Sequence, residues 1–201
     1  GQQDSYPGFH MTFLQSTDTF IFRDAQAANN VKIDVRTDAK FRDPAAWNHF
    51  CVVVDTTDGT AANRVKQYVN GVQKTSFDFD GGGYPDQNDS ASGWFTSNYQ
   101  TIGTAPFGGS FNVGDGDYDM TGRLAEFCGC EGNQYAPTVF GESSGGSWIP
   151  KDVSGVDFGS KGFYLKFSNS SNLGEDFSGN DNDFTSNNLS SSNRSTTTPT
   201  S

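Results

Sequence analysis

Arg64-Val-Lys-Gln-Tyr-Val69, Asn70-Gly71 and Val72-Gln-Lys-Thr-Ser-Phe77 form the stretch on which the fold reading turns. Two runs rich in Val and aromatic residues flank a dipeptide that readily takes the positive φ angles of a tight two-residue turn, so the stretch predicts a β-hairpin. Just upstream, Phe50-Cys-Val-Val-Val-Asp55 is continuously apolar rather than alternating, which suits a strand covered on both faces at the centre of a sandwich. Asp43-Pro44 marks the turn leading towards it.

Similar short apolar runs bounded by turn residues recur on either side. They predict strands over 8–14, 20–23, 32–36, 48–55, 65–69, 72–77, 101–103, 111–113, 122–127 and 162–167. No segment carries sustained helical periodicity. The expectation is an all-β chain built as a two-sheet antiparallel β-sandwich.

Composition decides whether such a chain can fold. Leu, Ile, Val and Phe make up about a fifth of the 201 residues and the net charge is -11, values near those of disordered chains. The 18 Phe, 7 Tyr and 3 Trp argue for order, because each buried aromatic removes roughly 150–250 Å² from water. The length suggests one domain. After Phe167 the composition shifts to Ser, Asn, Thr, Gly and Asp, so 1–167 is expected to hold the sandwich and 168–201 an extended arm unable to fold alone.

The same numbers bound the partners. An isoelectric point near 4.3 disfavours phosphate-backbone binding, so no nucleic acid is expected. No apolar run approaches the ~20 residues that span a bilayer, and no signal segment opens the chain, which predicts a soluble protein without membrane insertion. The sequence starts at Gly1 without Met and reads as a processed product or a piece of a longer polypeptide. Three Cys are too few and too oddly placed for a disulfide framework and read as buried or half-buried free thiols made in a reducing cytoplasm. His10 and His49 leave little for zinc.

Catalytic strings are absent from the sequence: no Gly-x-Ser-x-Gly elbow, no zinc-protease His pair, no phosphate loop. Glycoside hydrolysis needs two facing carboxylates, and Glu is limited to Glu126, Glu131, Glu142 and Glu175, with no Glu-x-Asp-x-x-Glu string of the kind that places them on one strand. No enzyme is expected, although carboxylates from distant strands leave a glycan depolymerase as a third reading.

Two loops carry binding chemistry. Asp115-Gly-Asp117-Tyr-Asp119 places three carboxylates at alternate positions with Glu126 further on, which fits calcium; Met120 stands where a helix-loop-helix calcium loop needs Gly, and a plain acidic turn is the alternative. The long loop 78–98 and its end bring Tyr84, Asp86, Asn88, Asp89, Trp94 and Tyr99 into one region. Flat aromatics with Asp and Asn can stack on and hydrogen-bond a sugar, so these six are the glycan candidates; the alternative is that the aromatics anchor the loop. Four Asn-x-Ser strings, at Asn88, Asn169, Asn188 and Asn193, read as by-products of composition.

Three blocks, in order, resemble one family. Phe41-Arg-Asp-Pro-Ala-Ala-Trp-Asn-His49 with Val52-Val-Val-Asp-Thr-Thr57, Asn63-Arg-Val-Lys66 and Tyr68-Val-Asn-Gly-Val72 resembles the central strands of laminin G-like, concanavalin A-like domains. Gly122-Arg-Leu-Ala-Glu126, Phe140-Gly-Glu142 and Trp148-Ile-Pro-Lys151 match the later part. Gly162-Phe-Tyr-Leu-Lys-Phe167, Leu173-Gly174, Asp176-Phe-Ser-Gly-Asn180, Asn182-Asp-Phe184 and Thr198-Pro-Thr200 resemble the closing segment. Such domains are common in marine tailed phages. The resemblance implies a concanavalin A-like jelly roll in a tail fibre or other virion structural protein.

It also implies, as partners, other virion proteins, a host-surface glycan and further copies in a homo-oligomer. A purely structural coat or decoration protein is the alternative, its arm ordering along neighbouring subunits. Two departures stand out. The Trp-rich opening strand of such domains is not seen, and Phe127-Cys-Gly-Cys-Glu-Gly132 replaces an apolar stretch. No binding residue carries over from the family, so the site candidates rest on loop chemistry.

Overall fold

The hairpin is formed as the sequence predicts. In this computed structural model β5 (Val65–Val69) pairs antiparallel with β6 (Val72–Lys74), Val69 facing Val72 across Asn70 and Gly71, whose φ values are 48° and 76°. Both central residues are left-handed, the backbone that a strand-twist-matched two-residue turn requires. The structure describes residues 8–14, 18–27, 30–43, 45–78, 83–89, 102 and 122–195. The expected strands at 101–103 and 111–113 lie outside them, Ile102 apart.

The regular structure among the described residues is nearly all strand, with three single-turn 3-10 helices at Ala61–Asn63, Pro137–Val139 and Ser191–Asn193, so the chain is all-β. It groups into two compact units, one from Gly1–Ala46 and Phe50–Thr121, the other from Trp47–His49 and Gly122–Ser201. The expected boundary between 167 and 168 falls inside the second.

In the first unit β1 (Gly8–Leu14), β2 (Thr19–Ala27), β3 (Asn30–Thr37) and β7 (Phe77–Asp78) form one antiparallel sheet in the order β1-β2-β3-β7. β4 (Phe50–Val54), β5 and β6 form a second, in that order. Phe22, Ile33 and Val35 from the first sheet and Val65 from the second make one buried cluster, with Met11, Val52, Val54, Phe77 and Tyr84 packed against it. Each fully buried side chain of this kind contributes roughly 1.5–3 kcal/mol. Gln67, fully buried on β5, donates from Nε2 to the Val35 carbonyl at 2.9 Å and so ties the two sheets through a polar bond inside the core.

Two strands depart from expectation. The run 72–77 is not one strand: Val72–Lys74 pairs with β5, whereas Phe77–Asp78 pairs with β3, because Phe77 is drawn to the core cluster and carries the chain to the other sheet. β4 is not central in its sheet: among the described residues it pairs only with β5, and all five of its residues are half-buried. On the sheet face that carries Arg23 and Asp34, the fully buried Asp34 carboxylate takes a forked contact from Arg36, Nε at 2.7 Å and Nη2 at 3.0 Å, which compensates the charge that burial would otherwise penalise.

The second unit has two small antiparallel pairs, β8 (Phe127–Gly129) with β11 (Phe163–Leu165), and β9 (Gly141–Ser144) with β10 (Ser147–Pro150). Double-sided burial is found on β11. Tyr164 stacks on Phe158 at 5.9 Å within the Val153–Phe158–Tyr164 cluster, while Phe163 stacks on Phe127 at 5.9 Å and meets Phe184 edge-on at 4.8 Å. The expected strand over 122–127 is irregular up to Glu126, whose φ of 53° is incompatible with a ladder; pairing starts only at Phe127. The β9–β10 hairpin was not expected. It turns on Gly145 and Gly146, φ 58° and 85°, the same turn geometry as at Asn70-Gly71.

Candidate functional site

The loop 83–89 is held by one arginine. Arg64, at the entrance of β5, donates from Nε to Asp58 O at 2.8 Å, from Nη2 to Gly59 O at 3.3 Å and from Nη1 to Pro85 O at 2.8 Å. A planar guanidinium suits such a fan of carbonyls because its donors are fixed in one plane. The loop then bonds back to the 55–64 turn through Asn88 N–H to Thr56 O at 2.8 Å and Gln87 Nε2 to Thr57 O at 3.1 Å. That turn is itself locked: Asp55 Oδ1 accepts from Thr57 N–H and Oγ1 at 3.0 and 2.6 Å, and Asp58 Oδ1 accepts from Thr60 N–H at 2.7 Å.

Within this frame the candidate residues divide. Tyr84 packs half-buried on the core cluster, where desolvation raises its phenol above the ordinary value, so it acts as an anchor. Pro85 is buried beside it. Asp86, Gln87 and Asn88 are exposed and Asp89 is half-buried, Asn88 with a left-handed φ of 61°. Four of the six glycan candidates are therefore brought together on one pinned loop: Tyr84 packs against the core, Asp86 and Asn88 are exposed, and Asp89 is half-buried. Trp94 and Tyr99 lie outside the described residues, as do Asp115, Asp117 and Asp119 of the expected calcium loop. Among the described residues no group of three His, Cys, Asp or Glu could hold a metal ion.

Sequence reasoning missed Arg64 as the organiser of this loop. The only signal was an Arg between a turn and a strand, which by itself is common.

A second polar cluster lies in the other unit, on the string Asp176-Phe-Ser-Gly-Asn-Asp-Asn-Asp-Phe184. Asp176 is buried and accepts Tyr164 N–H and Ser178 N–H at 2.8 Å each, Ser178 Oγ at 2.7 Å and Asn182 N–H at 3.0 Å. Desolvation pushes its carboxyl up, but the hydrogen bonds together outweigh this and leave it below the usual carboxylate range. Asn180 and Asn182 both donate from Nδ2 to Gly162 O, at 3.0 and 2.9 Å, and also reach Gly159 O and Ser160 O. All these groups are satisfied internally. The string is a clasp that fastens residues 176–183 to the 159–164 turn and strand, and it explains in physical terms why those residue types sit together.

Nearby, Tyr164 donates its hydroxyl to Glu126 Oε2, and burial first, then this bond, holds the phenol well above its ordinary value. Cys51, Cys128 and Cys130 are half-buried and form no disulfide; burial, then the Asp157 charge, pushes the Cys130 thiol up to about 11. At such a value the reactive thiolate is scarce at neutral pH. His49 stacks on Trp148 at 5.4 Å, and burial lowers its imidazole to about 4.

Comparison with family models, with curated proteins and with solved structures returned no match for this chain. What the described residues define is an all-β chain with a rigidly pinned polar loop in one unit and an internally satisfied Asp–Asn clasp in the other. No helix among them is long and apolar enough to cross a membrane.

Proposed function

We propose that the chain is a virion structural or adhesion module of a tailed phage, whose loops bind a host-surface glycan or a neighbouring virion subunit, and that it acts by binding rather than catalysis. The observation that carries the reading is the loop 83–89: Arg64 and Tyr84 fix its backbone while Asp86, Gln87 and Asn88 stay exposed. A loop already ordered before contact loses little conformational entropy when a partner docks, which favours recognition by a few polar groups. Trp94 and Tyr99 complete the proposed glycan contacts, and Asp115, Asp117 and Asp119 are the proposed calcium ligands.

The two sheets of the first unit are proposed to be the facing layers of a concanavalin A-like sandwich; their shared cluster and the Gln67 bond to Val35 support this. The resemblance of the three ordered blocks supplies the virion setting and the expectation of a homo-oligomer.

The test is a host-surface glycan array probed with the full chain, in parallel with pull-down of purified phage particles lacking this protein. Binding to glycan, weakened at least tenfold by Asp86→Ala with Asn88→Ala, supports adhesion. Binding to particles alone moves the protein to the coat or decoration class. Binding to neither, or release of reducing ends from host polysaccharide, overturns the proposal.

A further inference from the structure

Asn70-Gly71 is the one Asn-Gly pair in the sequence, and it carries a reactivity that turn formation does not use. Gly71 has no side chain to crowd its nitrogen, so that nitrogen can attack Asn70 Cγ once the backbone allows it. The Gly71 N–H proton passes by way of water to Nδ2, the Cγ–Nδ2 bond breaks and ammonia leaves, which closes a five-membered succinimide. Water then opens the ring. Cleavage of the new bond from Cγ to nitrogen gives an aspartate on the original backbone; cleavage at the main-chain carbonyl gives an isoaspartate whose backbone runs through the former side chain.

The folded turn holds this reaction back. Asn70 and Gly71 have φ values of 48° and 76°, and in the left-handed conformation ψ is about +47°. That rotation places the Gly71 nitrogen anti to the Asn70 Cβ, on the far side of the Cα–C bond from Cγ and out of reach of it. The ring can close only after the Asn70 carbonyl has swung round, which takes the hairpin end apart. β6 is suited to open: it has three residues, pairs only with β5 among the described residues, and carries Val72 at 63% exposure beside an exposed Gln73. Short edge elements with few buried contacts open locally at low free-energy cost.

Two related positions are protected in other ways. The β9–β10 hairpin turns on Gly145-Gly146, left-handed at both residues but with no amide to lose. Asn169, followed by Ser170, has both side-chain amide atoms held: Nδ2 donates to Glu175 Oε2 at 2.7 Å, and Oδ1 accepts from Ser171 N–H at 2.9 Å. We propose that Asn70 is a site of spontaneous deamidation, gated by opening of the β5–β6 hairpin. The reaction needs only water and no bound partner. Its aspartate product adds a negative charge and still fits the turn, since Asp tolerates left-handed backbone. Its isoaspartate product lengthens the backbone between Val69 and Val72, so the two no longer face each other across a two-residue turn and β6 comes away from β5. The uncovered edge of β5 then offers unpaired backbone groups beside Val69, which is 6% exposed in the intact fold.

Ageing of the full chain in mildly alkaline buffer, followed by peptide mapping with mass spectrometry and by isoaspartyl methyltransferase labelling, tests it. Both products are expected at residue 70, forming at least tenfold more slowly than in the urea-unfolded chain. Lys74→Pro, where proline cannot donate to the ladder opposite Gln67, is expected to raise the rate at least fivefold, with circular dichroism checking that the variant is folded. Urea below the unfolding transition is expected to raise it in the unsubstituted chain as well, so the gate is tested even if that variant fails to fold. Asn70→Gly keeps the left-handed turn and abolishes labelling of the hairpin peptide. A rate in the folded chain equal to that of the unfolded one, a rate unchanged by both Lys74→Pro and urea, or no product at residue 70 in the aged folded chain overturns the proposal.

Discussion

Arg64 Nη1 donates to the carbonyl of Pro85 at 2.8 Å, across 21 residues of sequence, and with that bond the polar loop 83–89 is fixed to the entrance of β5. The other two bonds of the same guanidinium hold the 58–59 turn, so one side chain sets the geometry of both segments. Arg64→Ala is expected to cost about 2 kcal/mol in urea unfolding, as loss of a partly buried charged donor does. Arg64→Lys recovers little of it, because an ammonium on a flexible stem cannot serve three diverging carbonyls. Hydrogen exchange at the Asn88 amide, bonded to Thr56 O, reports the loosening directly and is expected to accelerate in both variants.

Gln67 offers a sharper test of the core. Its Nε2 bonds Val35 O, but its Oε1 is buried without a partner among the described residues. Gln67→Leu therefore removes one bond and one unsatisfied acceptor together, and is expected to lie within about 1 kcal/mol of wild type. Gln67→Ala leaves a cavity as well and is expected to cost about 2–4 kcal/mol. Equal losses for both in denaturant unfolding would mean that the amide bond, rather than the space it fills, holds the sheets.

The Asp176 clasp predicts an acid-sensitive second unit. Its folded carboxyl lies below the unfolded value of about 3.9, so the stabilisation is present above that value and is lost as pH falls through the folded pKa. Asp176→Asn, which keeps the shape but not the charge, is expected to flatten the pH dependence of unfolding below about pH 4 and to lower stability at neutral pH.

His49 acts in a different window. Burial lowers its folded pKa to about 4 from 6.5, so the neutral imidazole stabilises the fold above about pH 6.5 and that contribution declines as pH falls towards 4. The stacked partner, Trp148, sits on β10. Melting temperature measured from pH 7 to 4 is expected to fall more steeply in wild type than in His49→Phe, which keeps the stack and removes the titration.

How far the sequence carried the fold depended on local chemistry. β1 and β5 were legible to the residue: β5 alternates buried Val65, Gln67 and Val69 with half-buried Lys66 and Tyr68, and a turn dipeptide closes it. The β9–β10 hairpin escaped because its flanks, Glu142-Ser-Ser144 and Ser147-Trp-Ile149, alternate too weakly to register, although Gly145-Gly146 carried the turn signal. The break at Phe77 and the left-handed Glu126 were invisible for another reason. Each is set by a partner distant in sequence, the core cluster for Phe77 and Tyr164 for Glu126. The same holds for the site: Tyr84, Asp86, Asn88 and Asp89 could be chosen from loop composition, whereas Arg64 could be found only from the carbonyls it gathers.

The central claim is that the loop 83–89 recognises a partner as a preformed surface. Glycan-array binding by the full chain, compared with Asp86→Ala plus Asn88→Ala and with Arg64→Ala, tests it most directly. The account predicts binding that the first variant loses through missing contacts and the second weakens through a loosened loop; binding unaffected by both, or binding absent from both arrays and phage particles, would contradict it.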